Sequence, residues 1–138
     1  MAYWLVKSEP DVFSLGDLEA APRRRSGWDG VRNYAARNNL KAMREGDLAL
    51  FYHSNASPSA VVGAARVTGK AVPDGPDPRW VKVEVEYAGR LKRPVSLAEV
   101  KAEPSLKGMA LVRYGRLSVQ PVTPAEWKRV LSMGGGLA

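Results

Sequence analysis

The stretch WVKVEVEY, residues 80–87, alternates Val81, Val83, Val85 and Tyr87 with Lys82, Glu84 and Glu86. Successive side chains of a strand point to opposite faces, so a period of two predicts a strand with one buried face and one wet face. Working outward, Val61 to Val72 predicts a long strand in which Gly63 and Gly69 mark bends or bulges, and such kinks help a sheet to curl. Leu48 to His53 reads as a strongly apolar strand, entered through the turn Gly46-Asp47 and left through the polar loop Ser54 to Ser59. Tyr3 to Val6, ending at the turn Ser8-Glu9-Pro10, predicts a first buried strand, and Arg116 to Val122 a closing one.

Short helices fit between these strands. Ser14 offers an N-cap for a helix through Leu15 and Leu18 that Pro22 stops. Ser96 with Glu99, and Thr123 with Glu126, are capping boxes that predict helices over Leu97 to Ala102 and Pro124 to Leu131. In Trp28 to Met43, turn chemistry at Asp29-Gly30 precedes helical spacing of Val31, Tyr34, Ala35 and Leu40, so a loop delivers Trp28 to the start of a helix. Arg23 to Arg25 falls in a loop, Val72 to Pro78 is a proline-rich connection, and Arg90, Lys92 and Arg93 read as a solvated turn. Three consecutive glycines in Met133 to Ala138 predict disorder there, which divides the chain into a domain over residues 1–132 and a tail over 133–138. About five to six strands with no repeated βαβ unit suggest an α+β fold, a mixed β-barrel decorated by short helices.

With 138 residues and 45% hydrophobic content the chain closes one core. Its net charge of +7 favours a polyanionic partner, because each phosphate neutralised by Lys or Arg releases condensed counterions. The absence of cysteine excludes disulfides, thiolate nucleophiles and sulfur-rich metal sites, and suits a reducing cytosol. Apolar runs are too short to span a bilayer, and MAYWLVKSEP lacks the charged start and cleavage site of a signal peptide. A cytoplasmic monomer with no membrane partner is expected.

The residues offer little to an enzyme. There is a lone histidine, no His-rich or paired-carboxylate motif, no glycine-rich phosphate loop and no dinucleotide fingerprint, so no catalytic residue, metal or cofactor is expected. A small hydrolase using His53 with Ser54 is the alternative of another class. Adjacent strand residues point to opposite faces, which works against that pair as a dyad.

Four blocks, YWLVKSEPDVFS, WDGVRNYAARN, GDLALFYHSN with VVGAARV, and RWVKVEVEY followed by RPVSLAEVK, are completed by MALVRYGRLSVQPVTPAEW. Their order and spacing, over Tyr3 to Leu131, resemble the EVE family. The resemblance implies a PUA-like barrel related to YTH and ASCH domains, with a pocket for a modified base of DNA or RNA, and a reader rather than a catalyst. The Val72–Arg79 connection looks shorter than in many relatives.

A reader of one base must lift it from the stack, at a cost of a few kcal/mol, and hold it by an aromatic face and edge hydrogen bonds. Trp28 can supply the face, which contributes about 1–3 kcal/mol and roughly offsets extrusion. By resemblance to the family's pocket rim, Ser8, Asn33, Ser54 and Asn55 are the short polar contacts, with Lys7 and His53 at strand ends beside them, Val31 in the wall, and Leu117 and Ser118 closing the far side. Arg32 and Arg37 are expected on phosphates. Each has a plainer reading: Trp28 in the core, Asn33 as an N-cap, His53 as a satisfied strand-end side chain, and Ser54 and Asn55 as turn formers. Trp4 and Trp80 are expected in the core, and Trp127 as the anchor of the last helix.

Overall fold

The computed structural model describes all residues, Met1–Ala138. Seven strands and five α-helices follow the chain: β1 Tyr3–Ser8, α1 Leu15–Ala20, β2 Arg25–Trp28, α2 Tyr34–Ala42, β3 Leu48–His53, β4 Ala60–Val67, β5 Val72–Pro73, β6 Val81–Ser96, α3 Leu97–Ala102, α4 Ala110–Arg113, β7 Val119–Val122 and α5 Pro124–Met133. Six strands pair in the order β2-β6-β4-β3-β1-β7, and β5 pairs with β6 outside that path. Only β1 and β3 run parallel, so the chain between them must cross over, and that crossover carries α1, β2 and α2.

The expected barrel does not close through backbone pairing. The path ends at β2 and β7, four residues each, which do not pair with one another. Helix α2 packs against both β7 and β6, one from each side of the gap, and Asn39 Nδ2 donates to the Val119 carbonyl at 2.6 Å. A side chain thereby serves an edge group that a paired strand would otherwise serve.

Both faces of the sheet are buried, which explains why β1 and β3 read as continuous apolar runs. Trp4, Val6, Ala49 and Phe51 pack on one face with α1, α2 and Trp28. Leu5, Leu50 and Tyr52 pack on the other with Val100, Leu106, Leu111 and Trp127. Gly63 sits where the β4–β6 register shifts, and a Cβ there would collide with the Gly89 carbonyl and Leu15 Cδ2. The anticipated bulge at Gly63 is therefore a close approach of two strands over α1.

The caps form as the sequence indicates. Ser14, Ser96 and Thr123 each accept an N–H from the N3 residue, and Asp17, Glu99 and Glu126 close the boxes.

Four local expectations are corrected. Trp28 ends a strand, and the helix after it starts six residues later with Asn33 as its N-cap. The strand from Val61 stops at Val67. Arg90, Lys92 and Arg93 lie inside β6, which continues to Ser96. The tail is ordered: Lys92 and Arg93 donate to the carbonyls of Gly136 and Gly134 at 3.1 Å each, Ala138 donates to the Arg90 carbonyl at 2.7 Å, and Leu137 bridges Leu91. A side chain at Gly134 would press on Leu91 and the Arg93 carbonyl, so glycine there permits close docking and is no sign of disorder.

Candidate nucleic-acid interface

Strand β1 ends at Lys7 and Ser8 beside the end of β2, and between them a cavity of about 480 Å³ opens on Trp28. Small-ligand pockets run to roughly 300–1,000 Å³, so its size admits a single heterocycle. Trp28 is 7% exposed and packs edge-on against Phe51 at 5.3 Å and Phe13 at 6.2 Å. Those contacts clamp the indole at a fixed angle at the cavity wall.

Of the residues expected in the pocket, Lys7, Ser8, Trp28, Val31 and Ser118 line it, and Arg32 lines it as well. The Ser8 carbonyl accepts the Ser54 N–H at 3.0 Å and the Ser118 carbonyl accepts the Lys7 N–H at 2.9 Å, contacts that use neither hydroxyl. The Lys7 ammonium turns to the opposite sheet face, donating to the Gly115 carbonyl at 2.8 Å and lying over the Tyr52 ring. Burial there lowers its pKa. Lys7 therefore lends the cavity its backbone and not its charge.

Asn33, His53, Ser54, Asn55 and Leu117 do not line the cavity. Asn33 Oδ1 caps α2 through the Ala36 N–H at 2.9 Å. His53 Nε2 accepts the Leu15 N–H at 3.1 Å, and burial, with Arg90 second, holds its pKa below the ordinary value. A ring nitrogen engaged this way is not poised to take a proton from Ser54. Asn55 sits at φ 50° and donates to Glu9 at 2.8 Å, as a turn former. Leu117 packs on the core face that holds Trp28.

Sequence reasoning missed Val12, Phe13, Ser26, Gly27, Asp29 and Gly30 on the cavity wall. The available signal was adjacency: four of them flank Trp28 in sequence, and a short strand running into a turn presents its backbone as well as its side chains. The rim is latched to the proline-rich connection. Asp74 Oδ2 accepts the Gly30 N–H at 2.9 Å and Arg32 Nη1 at 3.0 Å, and these two contacts, in that order, lower its pKa. Gly30 has φ 73°, the left-handed region that favours glycine.

Arg37 lies away from the cavity, over the Tyr34 ring at 5.2 Å, with its guanidinium on Asn38 and the Arg79 carbonyl. Trp80, expected in the core, is half-exposed and stacks on Tyr34 at 5.3 Å. No helix is long and apolar enough to cross a membrane, and no group of three or more His, Cys, Asp or Glu has the placement to hold a metal ion.

The sequence profile of the EVE domain matches residues 2–133. Rpa0253 from Rhodopseudomonas palustris is 50% identical, with a TM-score of 0.92 over 98% of this chain and 94% of that one. The human THYN1 protein, solved in complex with 5-methylcytosine-containing DNA, is 35% identical with a TM-score of 0.92 over the whole of both chains. Thymocyte nuclear protein 1 of Mus musculus is 38% identical across 95% of this chain and 73% of its own length. By its sequence profile, its identity to these relatives and its open, helix-bridged sheet, this chain belongs to the EVE domain family.

Proposed function

We propose that this chain binds DNA without catalysing a reaction, and takes an extruded modified cytosine into the cavity beside Trp28. The observation that carries this reading is the cavity itself, a hollow of base size that opens on a clamped indole. The full-length likeness to the human protein solved with 5-methylcytosine-containing DNA supports it. Stacking on the indole contributes about 1–3 kcal/mol, roughly the cost of extrusion. Net affinity then rests on edge contacts and phosphates. Cytosine carries an exocyclic amine that donates, and Asp29 on the cavity wall is an acceptor of that polarity. Ser8 and Ser118 hydroxyls can serve the remaining edge. A base methyl buried by area alone adds only about 0.8 kcal/mol, roughly fourfold in affinity, so selectivity requires the cavity shape to penalise the unmodified base. Arg32, at the rim, and Arg37, along α2, contact phosphates.

The test is anisotropy titration of duplexes that differ only in one cytosine modification, at fixed salt, with matched RNA alongside. Trp28→Ala removes discrimination between modified and plain DNA while salt-sensitive binding persists. It also removes a core side chain at a cost of about 3–5 kcal/mol, so Ser118→Phe, which fills the cavity from its rim, is the companion variant. Arg32→Ala and Arg37→Ala weaken all sequences alike. Equal losses on modified and plain DNA for both cavity variants sink the pocket, and preference for the RNA strand at every salt moves the reading to a modified RNA base.

A further inference from the structure

Beside the cavity the surface carries a ladder of aromatic rings and guanidinium groups that the base pocket does not use. Tyr34, 53% exposed, stacks on Trp80 at 5.3 Å and 27°. Arg32 and Arg79 lie over the Trp80 ring at 5.4 and 5.7 Å, and Arg37 over the Tyr34 ring at 5.2 Å. A guanidinium over a ring is held there by cation–π attraction, and its N–H donors remain directed at acceptors around it. Acceptors within the protein take those donors now: Asp74 meets Arg32 at 3.0 Å, Asp77 meets Arg79 at 2.6 Å, and Arg37 donates to Asn38 Oδ1 at 2.8 Å and to the Arg79 carbonyl at 3.2 Å. The contact from Arg79 holds Asp77 down to about 2. The two rings stack on each other and carry arginines over them, so the ladder is not a bare aromatic shelf. What the ladder offers is a row of oriented donors for oxyanions.

The short proline-rich loop builds it. Asp74 donates its N–H to the Trp80 carbonyl at 3.0 Å, Trp80 donates to the Asp77 carbonyl at 3.2 Å, and Pro73, Pro76 and Pro78 restrict the backbone between. Arg32 belongs to both the ladder and the cavity rim, so a strand whose base enters the cavity carries its neighbouring phosphates onto the ladder.

We propose that Arg32, Arg37 and Arg79, held in register by Tyr34 and Trp80, form the binding track for the sugar–phosphate backbone flanking the extruded nucleotide. A phosphate replaces the Asp77 carboxylate on Arg79 when the strand binds. Trp80 and Tyr34 are positioning residues here, and Arg79 is a phosphate contact that no base-directed argument finds. This inference rests on the DNA-binding reading and goes beyond it.

The experiment is the slope of log affinity against log salt for the full chain, on a modified duplex, a plain duplex and one with an abasic site in place of the target base. Each phosphate contact contributes about 0.9 to that slope. Arg79→Ala lowers it by about one contact on all three duplexes. Trp80→Leu removes no charge yet lowers the slope comparably, a readout that loss of packing alone does not move. Asp77→Asn, at a partly exposed position, strengthens binding on all three. Wild-type slope and affinity in Arg79→Ala on the abasic duplex overturn the track, as does failure of the native chain to bind any of the three. Loss of discrimination between modified and plain duplexes with these slope changes intact overturns the base pocket only and supports the track.

Discussion

Trp4 and Trp28 sit on the same face of the sheet, in the same apolar cluster, each 7% exposed, yet they play opposite parts. The Trp4 indole N–H donates to Asp47 at 3.0 Å, and the same carboxylate accepts the backbone N–H groups of Ala2 and Arg44 at 3.1 and 3.0 Å. Its polar handle is consumed inside the fold. The Trp28 indole is clamped by two phenyl rings and forms the wall of an open cavity. Fractional exposure does not distinguish the two residues. What separates them is where each indole's remaining surface and its N–H are directed, and that depends on neighbours distant in sequence.

Removing the group that makes Trp4 structural tests the contrast most severely. Burial alone would raise the Asp47 pKa, but hydrogen bonds from Trp4, Arg44 and Ala2 outweigh it and hold the carboxyl below its usual range. Asp47→Ala leaves three donors without their acceptor and costs about 3 kcal/mol, or about 10 °C in Tm by thermal denaturation. The DNA selectivity of the fraction that stays folded is unchanged. Because the folded pKa is depressed, this stabilisation is present above the unfolded carboxyl value and is lost as pH falls through the folded one.

A paired substitution sharpens the same contrast. Trp28→Phe costs about 1–2 kcal/mol of stability by shrinking a packed side chain, and Trp4→Phe costs more, because it also removes the indole donor to Asp47. Only Trp28→Phe lowers preference for modified over plain DNA, by about threefold to tenfold in a titration at fixed salt. Equal effects of the two substitutions on selectivity would erase the distinction.

The smallest effect belongs to His53, whose ring nitrogen is spent on the Leu15 N–H much as the Trp4 N–H is spent on Asp47. Its pKa lies below the ordinary 6.5, so the unfolded chain binds the proton more readily. Its contribution to stability is complete above about pH 6.5 and declines as pH falls toward the folded value. His53→Gln keeps an acceptor for Leu15 and removes the titration. Melting temperature then falls less steeply from about pH 7 to about pH 5, while DNA binding is unaltered.

Local chemistry made much of this molecule legible. The capping boxes at Ser96 and Thr123 located two helix starts to the residue, because both partners lie within one turn of chain. Alternation over residues 80–87 located β6 but stopped short of Ser96, since beyond Gly89 the strand's outward residues are exposed arginines, a lysine and a proline that resemble a turn. Strand β2, RSGW, carries no periodic signal at all, because its pairing with Glu86 through Val83 on β6 supplies what its own residues do not. The candidate site divided on the same line. Trp28 and its sequence neighbours gather at the cavity, whereas Asn33, His53 and Asn55 are engaged by Ala36, Leu15 and Glu9, partners that family resemblance at the pocket rim could not disclose.

The docked C-terminus has a practical consequence. It lies along β6 as a sealing strip over Leu91, which is 3% exposed. A protease cut after Met133 would bare that leucine together with the backbone donors of Lys92 and Arg93, a ready template on which another copy can add a strand. Trimming these residues to aid crystal growth would therefore promote clumping, and an extension appended there should begin with a spacer long enough to leave the strip seated.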